Sequence, residues 1–146
     1  MYITYPMTKT VLITGGSRGI GYATAELFAE HGWNVALCSR DEKQAKTAAE
    51  TIQIQSPTAR VAGFKIDVGN AADVDTLFAA VKKQFGRLDA LVNNAAIIHA
   101  ASIFELTDAQ FDEMMRINVT GLARCCRRAF EIMKDTGGSS VNISSL

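Results

Sequence analysis

Three glycines, Gly15, Gly19 and Gly21, lie between the first predicted strand and the first predicted helix. Glycine lets the backbone adopt positive φ and approach a ligand closely, and the first N–H groups of a helix attract an anion such as a pyrophosphate. A glycine cluster by itself more often forms an ordinary turn. Its position at the first strand-to-helix junction favours a nucleotide-binding loop, although its spacing differs from the usual GxGxxG of dinucleotide folds.

The second predicted strand ends in Ser39 and Arg40, where dinucleotide folds that bind NAD carry an acidic residue about 20 residues past the glycine loop. A guanidinium binds a phosphate through paired N–H groups. Arg40 and Arg18 can therefore both reach the 2′-phosphate of NADP(H), and Ser39 can add a hydroxyl donor. The alternative is that Arg40 is solvated in a loop and Arg18 covers the helix start. We predict NADP(H) as the cofactor.

Strand and helix patterns alternate along the chain. Strands are predicted over residues 10–14, 35–38, 59–66, 88–92 and 140–143, and helices over residues 20–30, 41–54, 70–85 and 107–134. Helices of this length between strands imply right-handed crossovers and a parallel sheet with helices on both faces. The sequence therefore predicts an α/β fold, a Rossmann-type doubly wound parallel sheet in three α/β/α layers, with one domain over residues 1–146. Ligands of such sheets bind beyond the carboxyl ends of the strands, where strand order reverses.

The motifs at these strand ends resemble those of the short-chain dehydrogenase/reductase family. The loop at residues 14–21 is similar to the family's TGxxxGxG, Asp67-Val68 resembles the pair beside the adenine ring, and residues 93–96, Asn-Asn-Ala-Ala, resemble the NNAG element. Ala96 departs from the family, which usually has glycine there, and its methyl group is expected to crowd a tight turn slightly. The resemblance implies a cofactor site made of Gly15, Ser17, Arg18, Gly19, Ile20, Gly21, Ser39, Arg40, Asp67, Val68, Asn94, Ala95 and Ile143.

Two catalytic residues are also implied by the resemblance. Asn118, in Arg-Ile-Asn-Val, matches the family's helix asparagine, which holds a water in a proton relay and breaks the helix locally. Ser145 matches the serine that hydrogen-bonds the substrate carbonyl, where donors stabilise the developing alkoxide. On the residues alone, Asn118 lies on the predicted buried stripe of the long helix, and bonding to nearby backbone or water is an equal alternative. That stripe is predicted to contain Phe111, Met114 or Met115, Leu122, Cys126, Ala129 and Met133.

The family's proton donor is a tyrosine in a Tyr-x-x-x-Lys motif on the helix after the fifth strand. Tyr2 and Tyr5 precede the first strand, and Tyr22 has no lysine four residues on, so none of them can replace it. The sequence therefore predicts a fragment, truncated after the fifth strand and inactive alone, of an NADP(H)-dependent oxidoreductase that acts on a carbonyl or alcohol. The alternatives are a non-catalytic nucleotide-binding or interaction module and a truncation product without function.

Composition excludes several classes of partner. Fifteen basic residues balance fifteen acidic ones, which gives no reason to expect nucleic acid or a membrane surface as a partner.

Cys38, Cys125 and Cys126 have no metal-ligand spacing and are expected to be buried small apolar residues of a reduced, cytoplasmic protein with no metal site. The open edge of the fifth strand and one face of the long helix predict a homo-oligomer. His99 is expected to be a surface histidine without a catalytic role.

Overall fold

Five short runs of mainly apolar residues form one parallel sheet in the computed structural model, which describes residues 8–144. The strands are β1 (Thr10–Thr14), β2 (Asn34–Ser39), β3 (Val61–Lys65), β4 (Ala90–Asn93) and β5 (Ser139–Asn142). The helices are α1 (Gly19–Glu30), α2 (Glu42–Gln55), α3 (Ala71–Phe85), α4 (Asp108–Met114) and α5 (Leu122–Met133), with a π-helical segment (Met115–Gly121) joining α4 to α5. The predicted Rossmann-type α/β fold is confirmed.

The strand order is β3-β2-β1-β4-β5, with every neighbouring pair parallel. The chain moves outward from β1 to β3 and then returns to β4 on the other side of β1, with Leu12 beside both Ala36 and Leu91. All five residues of β1 are buried, as expected of a central strand between two helical layers. The order reverses between β1 and β4, so a crevice is expected beyond the carboxyl ends of these two strands.

Alternate side chains of the sheet enter two separate cores, because successive residues of a strand point to opposite faces. Leu12 and Leu91 pack with Leu77 of α3 and Cys125 of α5 on one face. On the other face, residues of β1 and β2 pack with α1 and α2, among them Val11, Ile13, Val35, Leu37, Ala25 and Ile52. The sheet is therefore the middle of three layers.

The buried face of α1 differs from its sequence-based prediction. Helical spacing of the apolar residues predicts a buried face of Ile20, Ala23, Leu27 and Phe28. The buried residues are instead Gly21, Ala25 and Ala29, whereas Ile20 and Leu27 are 63% and 56% exposed. Hydrophobic periodicity places the largest apolar side chains in the core. Here the helix lies so close to the sheet that only small residues fit beneath it, four positions apart.

The long helix begins as predicted, with a capping box in which Thr107 and Gln110 bond each other's backbone N–H groups. It is not one α-helix, because the π-helical segment interrupts it, and a π-turn shifts the register of the side chains that follow. The predicted buried stripe is wrong in most positions: Phe111, before the segment, is 49% exposed, and Leu122 and Cys126, after it, are only half-buried, whereas Ala129 and Met133 are buried as expected. The residues that are buried follow a four-residue spacing: Ile117, Gly121, Cys125, Ala129 and Met133.

The far edge of the sheet is open in the described part of the chain. All four residues of β5 are exposed, and Phe130 on the neighbouring α5 is 67% exposed. Both features were expected from the sequence. Of the helices within residues 8–144, none has the length and apolar character to cross a membrane.

The cysteines differ in burial, which gives a testable result. Burial raises the pKa of the Cys38 thiol and of the Cys125 thiol from 9.0 to about 12, whereas Cys126 is only half-buried. We expect Cys126 alone to react quickly with iodoacetamide in the native protein, because the thiolate is the nucleophile. Since the pKa values of the two buried thiols are raised in the folded state, the stability they confer is present below pH 9 and lost as the pH rises towards 12. Mass spectrometry of labelled peptides and urea unfolding at pH 8 and pH 10.5 test both statements; rapid labelling of Cys38 would contradict them.

Candidate functional site

A cleft of about 500 Å³ opens beyond the carboxyl ends of β1, β2, β3 and β4, at the reversal of strand order. Each wall comes from a different strand-to-helix connection, so residues far apart in the sequence meet there. The lining residues are Gly15, Ser17, Arg18, Gly19, Ile20, Cys38, Ser39, Arg40, Asp41, Gln44, Ile66, Asp67, Val68, Asn94, Ala95, Ala96, Ile97 and Ile117. Eleven of the thirteen predicted cofactor residues line this cleft.

The glycines of the loop between β1 and α1 are needed for different structural reasons. Gly15 and Gly19 have φ of +64° and +55°, the left-handed region that favours glycine. A Cβ atom at Gly19 would meet nothing within 4 Å, so its backbone is open to a ligand. A Cβ atom at Gly21 would lie 2.3 Å from the Gly15 carbonyl oxygen, so Gly21 lies beneath the loop and does not line the cleft.

The first turn of α1 is suited to an anion. Arg18 at its N-cap makes no side-chain capping bond, and the turn contains no acidic residue. By contrast, Asp41 caps α2 and Asn70 caps α3 through their side chains. The first N–H groups of a helix need a partner, and the helix dipole favours negative charge there. A pyrophosphate group therefore fits the uncapped start of α1, beside the open backbone of Gly19.

Asn94 fixes the loop from the opposite strand. Its Nδ2 atom donates to the carbonyl oxygens of Thr14 (3.2 Å) and Gly15 (3.0 Å). The Thr14 hydroxyl in turn accepts bonds from the backbone N–H groups of Asn94 and Ala95, both at 3.1 Å. Asn94 thus positions the glycine loop. Ala96 lies exposed beside it, and its φ is not positive, so its backbone is one that alanine adopts readily.

The end of β2 forms the basic part of the cleft, although two carboxylates lie nearby. Ser39 Oγ accepts the Asp41 N–H at 3.2 Å, and Asp41 caps α2 through the Gln44 N–H at 2.9 Å. The Arg40 guanidinium lies 3.9 Å from a carboxylate oxygen of Glu113 on α4. Sequence analysis found no carboxylate at this strand end. The adjacent position of Asp41 was the available signal, whereas Glu113 is 73 positions away from Arg40 in the sequence and gave none.

The loop after β3 is tied to the π-helical segment. Asp67 accepts the Gly69 N–H at 2.8 Å with one carboxylate oxygen and an N–H of the Arg116 guanidinium at 3.1 Å with the other. A Cβ atom at Gly121 would lie 2.8 Å from the Val68 carbonyl oxygen, which shows how closely the segment approaches this loop. Asp67 and Val68 both line the cleft, and their contact with an adenine ring stays a prediction.

Asn118 lies in the π-helical segment and bonds the backbone of the loop after β4. Its Oδ1 accepts the Ile97 N–H at 2.9 Å, and its Nδ2 donates to the Ile97 carbonyl at 2.8 Å. The expected local break of the helix is present here. Asn118 does not line the cleft, but its neighbour Ile117 does. The backbone bonding that was the alternative interpretation describes its amide, and a role in a proton relay stays a prediction.

Besides Gly21 and Asn118, two more predicted residues do not line the cleft or lie outside the described part. Ile143 follows β5, donates its N–H to the Asn93 carbonyl at 2.9 Å, and does not line the cleft. Ser145 lies outside the described residues. Seven lining residues were not among the predicted site residues: Cys38, Asp41, Gln44, Ile66, Ala96, Ile97 and Ile117. Asp41 and Gln44 come within five residues of the end of β2, whereas Ile117 belongs to the π-helical segment, far away in the sequence.

Exchange of Asn118 for Ala is expected to lower the free energy of unfolding by about 2 kcal/mol, because both half-buried backbone groups of Ile97 lose their partner. Urea unfolding followed by circular dichroism measures the change. Thr120→Ala, at an exposed position of the same segment, is the matched control and should stay within about 0.5 kcal/mol of the wild type. Equal stability of both variants would show that the paired bonds to Ile97 contribute nothing.

The fold and the cleft define a Rossmann-type α/β protein with its ligand crevice at the usual topological position. A family model described as short chain dehydrogenase matches residues 9–146. The chain therefore belongs to the short-chain dehydrogenase family, and the resemblance seen in its motifs is confirmed.

Individual relatives agree with this membership. The chain is 34% identical over 139 residues to a 3alpha-hydroxysteroid dehydrogenase of Mediterraneibacter gnavus, an alignment that covers 94% of this chain and 56% of the relative. It is 35% identical over 139 residues to a galactitol 2-dehydrogenase of Agrobacterium fabrum, over 94% of this chain and 52% of the relative. The chain thus spans about half the length of these curated relatives.

Solved structures match equally well. L-sorbose reductase from Gluconobacter frateurii, complexed with NADPH and L-sorbose, superposes with a TM-score of 0.90 at 30% identity, over 95% of this chain and 53% of that one. An alcohol dehydrogenase from Thermococcus sibiricus, complexed with 5-hydroxy-NADP, superposes with a TM-score of 0.88 at 30% identity, over 92% and 57%.

Proposed function

We propose that this chain binds NADP(H) in the cleft and forms the cofactor-binding part of an oxidoreductase that acts on a carbonyl or alcohol. The observation that carries the proposal is the uncapped start of α1 beside the open Gly19 backbone, in a cleft that also holds Arg18 and Arg40. The pyrophosphate would bind the first N–H groups of α1. Asp67 and Val68 would contact the adenine ring, and Asn94 and Ala95 would line the nicotinamide half.

The choice of NADP(H) over NAD(H) depends on charge at the end of β2. Arg18, Ser39 and Arg40 all line the cleft, and a 2′-phosphate would accept charge-assisted hydrogen bonds from each guanidinium. A site that prefers NAD(H) would have an acidic residue at the position of Ser39, whose carboxylate bonds the hydroxyls of the ribose. Asp41 does not take that role, because its carboxylate is bonded to the Gln44 N–H at the start of α2. The NADPH and 5-hydroxy-NADP complexes of two structural relatives support the same choice.

The bound nicotinamide would supply or accept the hydride. The residues of this chain would bind and orient: Asn94 holds the glycine loop in place, and Asn118 fixes the loop after β4 through Ile97. Ser145 would hydrogen-bond the substrate oxygen, where charge develops during the reaction. Asn118 would also orient the proton relay, for which a π-helical turn leaves backbone groups free. Proton transfer itself would need the family's tyrosine and lysine.

Three further proposals concern the protein as a whole. Residues 1–146 would belong to a single domain, because the strands form one continuous sheet. The free thiols of Cys38, Cys125 and Cys126 support a reducing, cytoplasmic location. The exposed apolar residues of the long helix, including Phe111, Val119 and Phe130, support a homo-oligomer.

Two measurements test the proposed function. Fluorescence titration of the 146-residue chain with NADPH should show saturable binding without turnover, because proton transfer typically contributes about 10²–10⁴-fold and no tyrosine–lysine pair lines the cleft within residues 8–144. The complete polypeptide that carries this sequence should oxidise NADPH with one or more members of a carbonyl panel. Binding without turnover in the complete polypeptide would favour a non-catalytic nucleotide-binding module, and absence of NADPH binding in both would refute the proposal.

A further inference from the structure

One of the two cations assigned to the 2′-phosphate already faces an anion of the protein. Arg40 follows β2, and its guanidinium lies 3.9 Å from Oε1 of Glu113 on α4. The other carboxylate oxygen of Glu113 lies 2.9 Å from Nε2 of His99, in the loop after β4. Three separate segments therefore meet in an Arg40–Glu113–His99 bridge at the edge of the cleft.

The geometry of this bridge makes Glu113 a held but replaceable partner of Arg40. The contact with His99 fixes the carboxylate, whereas the Arg40 contact is long and the Arg40 side chain is 57% exposed. An exposed ion pair of this kind is weak and is screened by salt, so a stronger anion can replace it. Arg18 has no ion pair within residues 8–144. Competition therefore acts on Arg40 and not on Arg18.

Apart from Arg40 and His99, no cationic side chain within residues 8–144 pairs with Glu113. Arg116 lies three positions further along the same helix, but its guanidinium is bonded to Asp67 at 3.1 Å. His99 is the other titratable group in contact with Glu113. A 2′-phosphate bound to Arg40 would therefore replace the contact between Arg40 and Glu113. It would also be repelled by the nearby Glu113 carboxylate. NAD(H) has a hydroxyl at that position and would disturb neither charge.

We infer that Glu113 is a specificity-determining residue, which competes with the 2′-phosphate for Arg40 and so lowers the affinity for NADP(H) without changing that for NAD(H). The inference rests on the proposed cofactor function and adds a residue of α4 to it. It also explains why Arg40 can face a carboxylate in a cleft that is suited to a phosphorylated cofactor. Arg18 and Arg40 make the site prefer NADP(H) over NAD(H), and Glu113 reduces the size of that preference.

The test is the ratio of the dissociation constants for NADPH and NADH in the wild type and in Glu113→Gln. We expect the Kd for NADPH to fall about fivefold at low salt, the Kd for NADH to stay the same, and the difference to shrink in 0.5 M NaCl. Glu105→Gln is the matched control: it removes the same charge from a residue that bonds Ser102, and the ratio should not change. In an Arg40→Gln background, Glu113→Gln should lose its effect on NADPH.

The outcomes separate this inference from the proposed function. If the wild type binds NADPH and the ratio is the same in Glu113→Gln, the inference is wrong and the proposed function stands. If the Kd values for NADPH and NADH change together, Glu113 has only a structural role and the inference is again wrong. If neither protein binds NADPH, both proposals are overturned. Binding of NADPH by the variant alone would support the inference directly.

Discussion

Exchange of Ser39 for Asp is expected to raise the Kd for NADPH by about 100-fold, while the Kd for NADH falls or stays the same. Ser39 lies at the end of β2, half-buried, beside Arg40 and at the edge of the cleft. A carboxylate there would repel a 2′-phosphate and pair with Arg40, and it could accept the ribose hydroxyls of NAD(H). Hydrogen bonds to charged groups contribute about 1.5–3 kcal/mol, and 100-fold corresponds to about 2.7 kcal/mol.

Isothermal titration of both cofactors measures the two constants. Ser39→Asn is the matched control, because it has nearly the shape of Asp without its charge and should leave most of the discrimination intact. Unchanged discrimination in Ser39→Asp would contradict the assignment of NADP(H), whatever the effect on overall affinity. The hydrogen bond from the Asp41 N–H to Ser39 Oγ can also be accepted by the new side chain, so α2 should keep its start.

Exchange of Gly21 for Ala is expected to lower the free energy of unfolding by about 3 kcal/mol or more and to abolish NADPH binding. The added Cβ atom would lie 2.3 Å from the Gly15 carbonyl oxygen and 2.5 Å from Asn94 Nδ2. Both are held by their mutual hydrogen bond, so neither can move without breaking it. Overpacking typically costs about 1–3 kcal/mol, and contact with backbone lies at the upper end. The loop that would hold the pyrophosphate is distorted at the same time.

Gly32→Ala serves as the control for this variant. Gly32 has φ of +76° and its Cβ would meet nothing within 4 Å, so alanine there has only the cost of left-handed backbone, about 1 kcal/mol, and leaves the cleft untouched. Urea unfolding and NADPH titration of the two variants separate lost stability from lost binding. A Gly21→Ala protein as stable as Gly32→Ala, with normal binding, would show that the close packing beneath the loop is wrong.

The strands and helices could be predicted from the sequence because short-range chemistry sets them. Strand β1 was predicted with the observed bounds, and Asn70 and Thr107 cap α3 and α4 as their residue types indicate. Clusters of glycine and polar residues follow the strands, and parallel strands bring such clusters to one edge. The rule that ligands bind at the carboxyl ends of parallel strands is enough to predict most of the residues that line the cleft.

The predictions that failed concern features that depend on packing between elements or on irregular helix geometry. The face of α1 could not be predicted from hydrophobicity, because closeness to the sheet selects Gly21 and Ala25 over Ile20. The π-helical segment shifts the helical register of the side chains after it, and residue propensities do not predict such a segment. Glu113 reaches Arg40 from an element 73 positions further along the chain, so only a three-dimensional arrangement reveals the pair.

The bonds from Asn94 also have a consequence for the order in which the molecule assembles. They join residues 79 and 80 positions apart, so the two carbonyl groups of the glycine loop gain these partners only after β4 has joined β1. Contacts between such distant parts of a chain form slowly, because a large loop must close before they stabilise anything. A nascent chain that has produced only the first three strands therefore has the glycines but lacks a finished nucleotide loop. A cofactor that binds only the finished loop would stabilise the pairing of β1 with β4 and so shift the folding equilibrium towards the folded state.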